Sequence, residues 1–183
     1  MKHMSKFSSV LLLMPLMVTG QLKYSNFKIN DRISMKIAEN MIPLEVEADI
    51  STYSRASLAS FASDDGEAIL GVNSNSMTWG EDDTSIIREF YRASFRSMFD
   101  QIAFSQDTIA LINGREFLIF EFEGIIENNN VFGGKKNTNY YSYIQYTRYN
   151  DKVLLFNFGC KARMAAAWKN IARIMMESEK IKK

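Results

Sequence analysis

The chain has 183 residues, with 22 basic and 21 acidic side chains, a formal net charge of +1, one histidine and one cysteine. That balance argues against a nucleic-acid binder, whose footprint is an excess of Lys and Arg. The lone His3 lies in an export-type leader, so the chain beyond it has no histidine, which removes Ser-His-Asp and Cys-His catalysis and every His-ligated metal site.

The leader is Met1 to Gly20. Lys2 and Lys6 form a short positive region, Val10 to Val18 is apolar apart from Pro15, and Val18-Thr19-Gly20 places small or modest residues before Gln21. This is the pattern of a secretory signal peptide, and the apolar run falls short of the roughly 20 residues that span a bilayer. Residues 1–20 are therefore expected to be removed, leaving 21–183 as a single domain with no stable membrane span. Removal takes two of the 22 basic residues and no acid, so the mature charge is −1. A single Cys160 allows no intrachain disulfide, and its place after the apolar run LLFNFG predicts an inert buried thiol.

Arg32 to Ala38 alternates Ile33, Met35 and Ile37 with Ser34 and Lys36, a half-buried strand. Met41-Ile42-Pro43-Leu44 is expected to break that strand, since Pro cannot donate to a central ladder. Glu45 to Tyr53 reads equally as a strand or as irregular chain. Ser54 to Ser63 is small and polar, Asp64-Asp65-Gly66 is a turn, and Glu67 to Val72 is a short strand that can continue toward Trp79. Asp83 or Thr84 is placed to cap a helix reaching about Ile102, with Ile86, Ile87, Phe90, Tyr91, Phe95, Met98, Phe99 and Ile102 in a wide apolar stripe.

Next comes TIALINGREFLIFEFEG, where Asn113-Gly114 between apolar runs predicts a two-residue hairpin. That register sets Ile112 opposite Arg115, Ala110 opposite Phe117 and Ile109 opposite Leu118. The second strand is apolar on both faces until Glu121 and Glu123, which predicts a mid-sheet hairpin covered above and below. Asn128 to Asn139 reads as a loop. Tyr140 to Tyr149 is a strand, turned at Asn150-Asp151 into Lys152 to Cys160, pairing Tyr143 with Phe158. Arg163 to about Lys180 is a helix with Ala165, Trp168, Ile171, Ala172 and Met175 on its apolar side.

This order of elements, with INGREFLIFEFEG at 112–124, YYSYIQYTRYNDKVLLFNFGC at 140–160 and AAAWKNIARIMMES at 165–178, resembles the PsbP-like superfamily. That superfamily includes the extrinsic photosystem II protein, a Ran-binding import factor and many secreted bacterial proteins. The resemblance implies an α+β fold, an α/β/α sandwich around a mostly antiparallel sheet of about six strands. It also implies a secreted or periplasmic, non-enzymatic accessory protein that binds a protein partner or a small ligand, without cofactor. No metal or partner contact of the superfamily maps onto residues here.

Several clusters carry alternative readings. Arg88, Arg92 and Arg96 recur at i, i+4, i+8, a partner-binding stripe or a solvated face, with Glu89 and Asp100 placed to relieve their repulsion. Lys135 and Lys136, after Gly133-Gly134, offer a partner-binding loop or an exposed connection; the spacing is not that of a phosphate-binding loop. Tyr140, Tyr141, Tyr143, Tyr146 and Tyr149 crowd one strand, but their parity divides them between two faces. Glu121 and Glu123 share a face, as carboxylates for acid–base work or as packing. Asp64-Asp65-Gly66-Glu67 and Glu81-Asp82-Asp83 lack calcium-loop spacing.

Exported protein should begin at Gln21. N-terminal sequencing that returns Met1 would overturn the leader assignment.

Overall fold

The computed structural model describes residues 22–45, 55–76, 79–80, 83–129 and 135–182. The leader, the undecided stretch after Glu45, Glu81-Asp82 and the centre of the 128–139 segment lie outside the described residues.

The strands are β1 (Tyr24–Lys28), β2 (Ile33–Ala38), β3 (Met41–Leu44), β4 (Arg55–Ser63) and β5 (Ala68–Asn75); then come helix α1 (Thr84–Met98), β6 (Gln101–Ile112), β7 (Arg115–Asn129), β8 (Lys135–Tyr149) and β9 (Lys152–Lys161). A 3-10 turn at Ala162–Met164 leads into α2 (Ala165–Met176), and β10 (Lys180–Ile181) is the last element. One antiparallel sheet has the order β3-β4-β5-β9-β8-β7-β6, and a smaller one has the order β1-β2-β10. The expected six-stranded sheet is thus seven-stranded, with a second sheet beside it. The strands not foreseen are β1, β3, β4 and β10; the longest, Arg55–Ser63 (RASLASFAS), is concealed by its mostly small residues.

Both turns form as read. Asn113 (φ 49°) and Gly114 (φ 78°) are left-handed, as a two-residue hairpin turn of this hand requires, and Asn150 (φ 53°) serves the second turn. The predicted pairs Ala110 with Phe117 and Ile109 with Leu118 are present. So is Tyr143 with Phe158. The hairpin's place is corrected: β6 is the sheet's outer edge and β7 lies next to it. Of the two hairpin strands, β7 but not β6 is buried on both faces. Phe117 and Ile119 enter the core under α2, while Leu118, Phe120 and Phe122 enter the core under α1.

The expected loop at 128–139 is also corrected. β7 extends to Asn129 and β8 begins at Lys135, with Asn129 opposite Lys135. Among the described residues of that stretch, 128–129 and 135–139 are paired in an extended ladder. The first helix stops at Met98, short of Ile102. Phe99 turns extended (φ −119°, ψ 140°), and Asp100 joins the sheet rim, its N–H donating to the Ile125 carbonyl (2.9 Å) and its carboxylate accepting from the Glu127 N–H (2.7 Å). Pairing with β7 replaces one more helical turn. Asp83 precedes the helix, but its carboxylate accepts from the Gly80 N–H (2.9 Å) and not from the helix.

The two faces of the large sheet are covered differently. On one, α2 and the small sheet lie side by side over Phe61, Leu70, Val72, Phe156 and Phe158, with Trp168, Ala172 and Met175 of α2 and Ile33, Met35 and Ile37 of β2 buried between. On the other, among the described residues, α1 and Trp79 cover β6, β7, β8 and the start of β9, the helix through Ile87, Tyr91 and Phe95.

Gly124 marks how closely α1's exit approaches the sheet. A Cβ there would sit 2.5 Å from the Phe99 ring. Gly124→Ala should cost about 1–3 kcal/mol through overpacking, read as a lower urea midpoint. Gly159→Ala is the control: its Cβ would meet nothing nearer than the Tyr141 carbonyl oxygen at 3.8 Å, and stability should not fall.

Candidate functional site

The half of the α1-side face that α1 leaves open is the most distinctive surface of the molecule. Strand alternation places its residues. In β5, Ala68, Leu70 and Val72 are buried under the α2 layer, so Ile69, Gly71 and Asn73 face the other way. In β3, Met41 points to the α2 layer and Ile42 and Leu44 to the open side. Ile42 is 53% exposed, Leu44 45% and Ile69 48%. Beside them, on β5 and β9, the floor is of small and amide side chains: Gly71, Gly159, and an Asn73–Asn157 pair in which Asn73 Nδ2 donates to Asn157 Oδ1 (3.2 Å).

Helix α1 forms the wall beside this floor. Ile87, Tyr91 and Phe95 face inward, and Tyr91 stacks on Tyr146 at 4.0 Å between ring centroids. The wide stripe expected of α1 is corrected, because three of its members lie on the helix's outer surface: Ile86 is 69% exposed, Phe90 55% and Met98 65%. A helix serving one core should be apolar on one stripe, so a second apolar surface needs another explanation.

The arginines of α1 take a third side. Arg88 Nε donates to Asp107 Oδ1 (2.7 Å) and its Nη2 to the Asp107 carbonyl (3.0 Å), while Arg92 Nε donates to Asp107 Oδ2 and its Nη1 to Glu89 (3.1 Å). The two guanidiniums hold the Asp107 carboxyl below its ordinary range against the opposing effect of burial. Arg88 and Arg92 therefore fasten the helix to β6. Arg96 stands exposed at the next turn, and Asp100 is engaged with the Glu127 N–H instead. Lys135 and Lys136 begin β8, opposite Asn129 and Asn128. The five residues do not converge: three line α1 and two lie on the strand arm.

Glu121 and Glu123 do share a face, and α2 supplies a cation to each. Glu121, 2% exposed, accepts from Tyr141 Oη (3.0 Å) and Arg173 Nη2 (3.0 Å). Glu123 pairs with Lys169 Nζ (2.8 Å). Burial and the neighbouring Glu121 push the Tyr141 hydroxyl far above its usual value, so it stays a donor. This is a strap between α2 and the sheet. Cys160 is buried and its thiol is pushed up to about 11, first by burial and then by Glu123, so it is an unreactive thiol at neutral pH. The tyrosines divide as parity requires: Tyr141 and Tyr143 in the α2-side core, Tyr146 in the other. Among the described residues no group of three His, Cys, Asp or Glu is placed to hold a metal, and no helix is long and apolar enough to cross a membrane.

A cleft of about 320 Å³ opens at the N-terminal end of α1, walled by Trp79, Leu118 and Tyr146 with Glu116 and Arg148 among its polar groups. Thr84 Oγ1 donates to Glu116 Oε1 (2.9 Å), and Arg115 Nη1 to the Arg148 carbonyl (2.7 Å). Sequence reasoning missed Trp79 as a wall of this cleft. Its aromatic type after a polar stretch was the available signal.

No family model and no curated protein matches the chain. Solved structures do. The solution structure of cyanobacterial PsbP (CyanoP) from Synechocystis sp. is similar over 92% of this chain and 98% of its own, with a TM-score of 0.58 at 12% identity. LpqN, described as involved in cell envelope biogenesis of Mycobacterium tuberculosis, is similar over 89% of this chain and 92% of its own, with a TM-score of 0.48 at 13% identity. The order of strands and helices resembling that superfamily in sequence is matched by the architecture: the chain has the PsbP-like fold.

Proposed function

We propose that this chain is a secreted, non-catalytic binding module that engages a protein partner through the open half of its α1-side face. The observation that carries the reading is the double apolar character of α1: Ile87, Tyr91 and Phe95 already serve the core, and Ile86, Phe90 and Met98 remain outside beside a floor bordered by Ile42, Leu44 and Ile69. An exposed apolar area rimmed by polar groups is the signature of an interaction surface. Arg96 of the same helix and Lys135 and Lys136 at the start of β8 are the basic groups this reading assigns to partner contact, although they do not converge on the apolar face. The export-type leader agrees with action outside the cytoplasm.

Catalysis by the paired carboxylates is disfavoured because each meets a cation of α2 and Glu121 is sealed from solvent. A second reading, a small-ligand carrier, has one observation in its favour. The cleft at Trp79 and Tyr146 has the size and aromatic lining of a ligand site.

The test uses the mature chain, residues 21–183, as bait for envelope proteins of the source cell. One stoichiometric partner is expected, and Phe90→Glu with Ile86→Glu should weaken its binding at least tenfold while thermal stability stays within a few degrees. A partner that binds the double variant unchanged would overturn this surface. A small molecule retained in native mass spectra and lost in Trp79→Ala would favour the carrier.

A further inference from the structure

The short turn that joins α2 to β10 holds a group that no part of the proposed surface uses. Glu179 is 2% exposed, and no other described residue donates a hydrogen bond to either of its carboxyl oxygens. It lines a cavity of about 20 Å³ with Ile112, Asn113, Arg115, Phe117 and Ile181. That is room for about one water. The backbone around it is fixed from three directions. Asn113 Nδ2 donates to the Glu179 carbonyl (2.8 Å), Lys36 N–H donates to Ser178 Oγ (2.8 Å), and Lys182 N–H donates to the Arg32 carbonyl (2.9 Å). Strand β10 itself pairs with β2 through two residues only, Lys180 with Ser34 and Ile181 with Ile33.

The charged groups near Glu179 do not neutralise it. Arg115, across the cavity, directs its guanidinium to the Arg148 carbonyl. Glu177, just past α2, opposes its ionisation, and Arg173 of α2 is engaged with Glu121. From β8, Tyr143 donates toward Glu177 (3.5 Å). Lys36 of β2 and Lys180 of β10 are exposed. A carboxyl in this setting is stable in the fold as the uncharged acid. As a carboxylate it would be a buried, unpaired charge, which a two-residue strand pairing cannot hold in place.

We infer that ionisation of Glu179 releases β10 from β2, so that the C-terminal strand is a pH-gated latch. Burial first, and Glu177 after it, raise the carboxyl from 4.5 to about 8. Because the value is raised, the closed latch keeps a proton that the open segment loses. The acid's contribution to closure is therefore complete below about pH 4.5, declines steadily above it, and is spent by about pH 8. Opening uncovers Ile33 and Ser34 on the edge of β2 and the wall of the cavity at Phe117.

Hydrogen exchange of the Lys182 amide, measured on the full mature chain from pH 5 to 9 and referenced to the Met175 amide of α2, tests this. The open population at Lys182 should rise about tenfold per pH unit from pH 5 and level off near 8, with no matching rise at Met175. Glu179→Gln should abolish that excess rise. An excess that persists in Glu179→Gln, or its absence in the parent chain, would overturn the inference. Should the variant not fold, the carbon-13 carboxyl shift of Glu179 in the parent chain decides: a midpoint near 8, where the Lys182 excess levels off, supports the latch, and one near 4.5 refutes it.

Discussion

Strand β7 is apolar on both faces, and the rest of the molecule answers that constraint. Phe117 and Ile119 on one side and Leu118, Phe120 and Phe122 on the other are all buried. Each such side chain is worth about 1.5–3 kcal/mol removed from water, so neither face can be left bare. Helix α1 precedes the β6–β7 hairpin and α2 follows the β8–β9 hairpin, and the two settle on opposite faces. A strand at the centre of a sheet would satisfy the same demand. Here β7 meets it one place from the edge, because β6 has only to complete its hydrogen bonds and is itself half-exposed.

Two kinds of polar tie hold the helices to that strand and its neighbours. Under α2, Arg173 reaches the buried Glu121, which also accepts from Tyr141. Removing one member of such a buried pair leaves the other charge unsatisfied, typically at about 3–5 kcal/mol. Under α1, the two arginines meet at Asp107. Arg88 and Arg92 repel one another at one-turn spacing, and a shared carboxylate converts that repulsion into a clamp. The clamp lies on the β6 side of the helix and leaves the opposite side, with Phe90 and Ile86, turned away from it.

How much of this could be read in advance depends on the range of each signal. The Asn113-Gly114 turn fixes a register within its own hairpin, and the residues it sets opposite one another are those found. Strand parity divided the tyrosines correctly for the same reason, since alternation is a local property. Sheet order is not local, and nothing in β7 says how many strands lie beyond it. β4 is built mostly of small residues, and its buried Phe61 packs edge-on to Phe27 (4.9 Å) of another sheet, a contact that sequence neighbours do not reveal. The partners of the arginines show the same limit. Glu89, three residues away, was legible; Asp107 was not, because the contact exists only once β6 folds back beneath α1. Glu179 was illegible altogether: an acidic residue near a lysine-rich end looks solvated until the Asn113 turn closes over it.

The open half of the α1-side face is neither a defect in the core nor an ordinary solvated surface. Were its floor built like that of the covered half, with Phe and Leu at each inward position, the chain would expose a broad apolar sheet and associate without selection. Its floor instead holds Gly71, Gly159 and the Asn73–Asn157 pair, with Ile42, Leu44 and Ile69 toward one flank and the outer row of α1 on the other. Small residues let another backbone approach closely, and the amide pair keeps its hydrogen bond whether the face is wet or covered. Such a surface costs little when bare and still buries apolar groups at its margins when occupied. That combination explains why, among the described residues, this half of the sheet stands without a second layer while β7 requires one on each face.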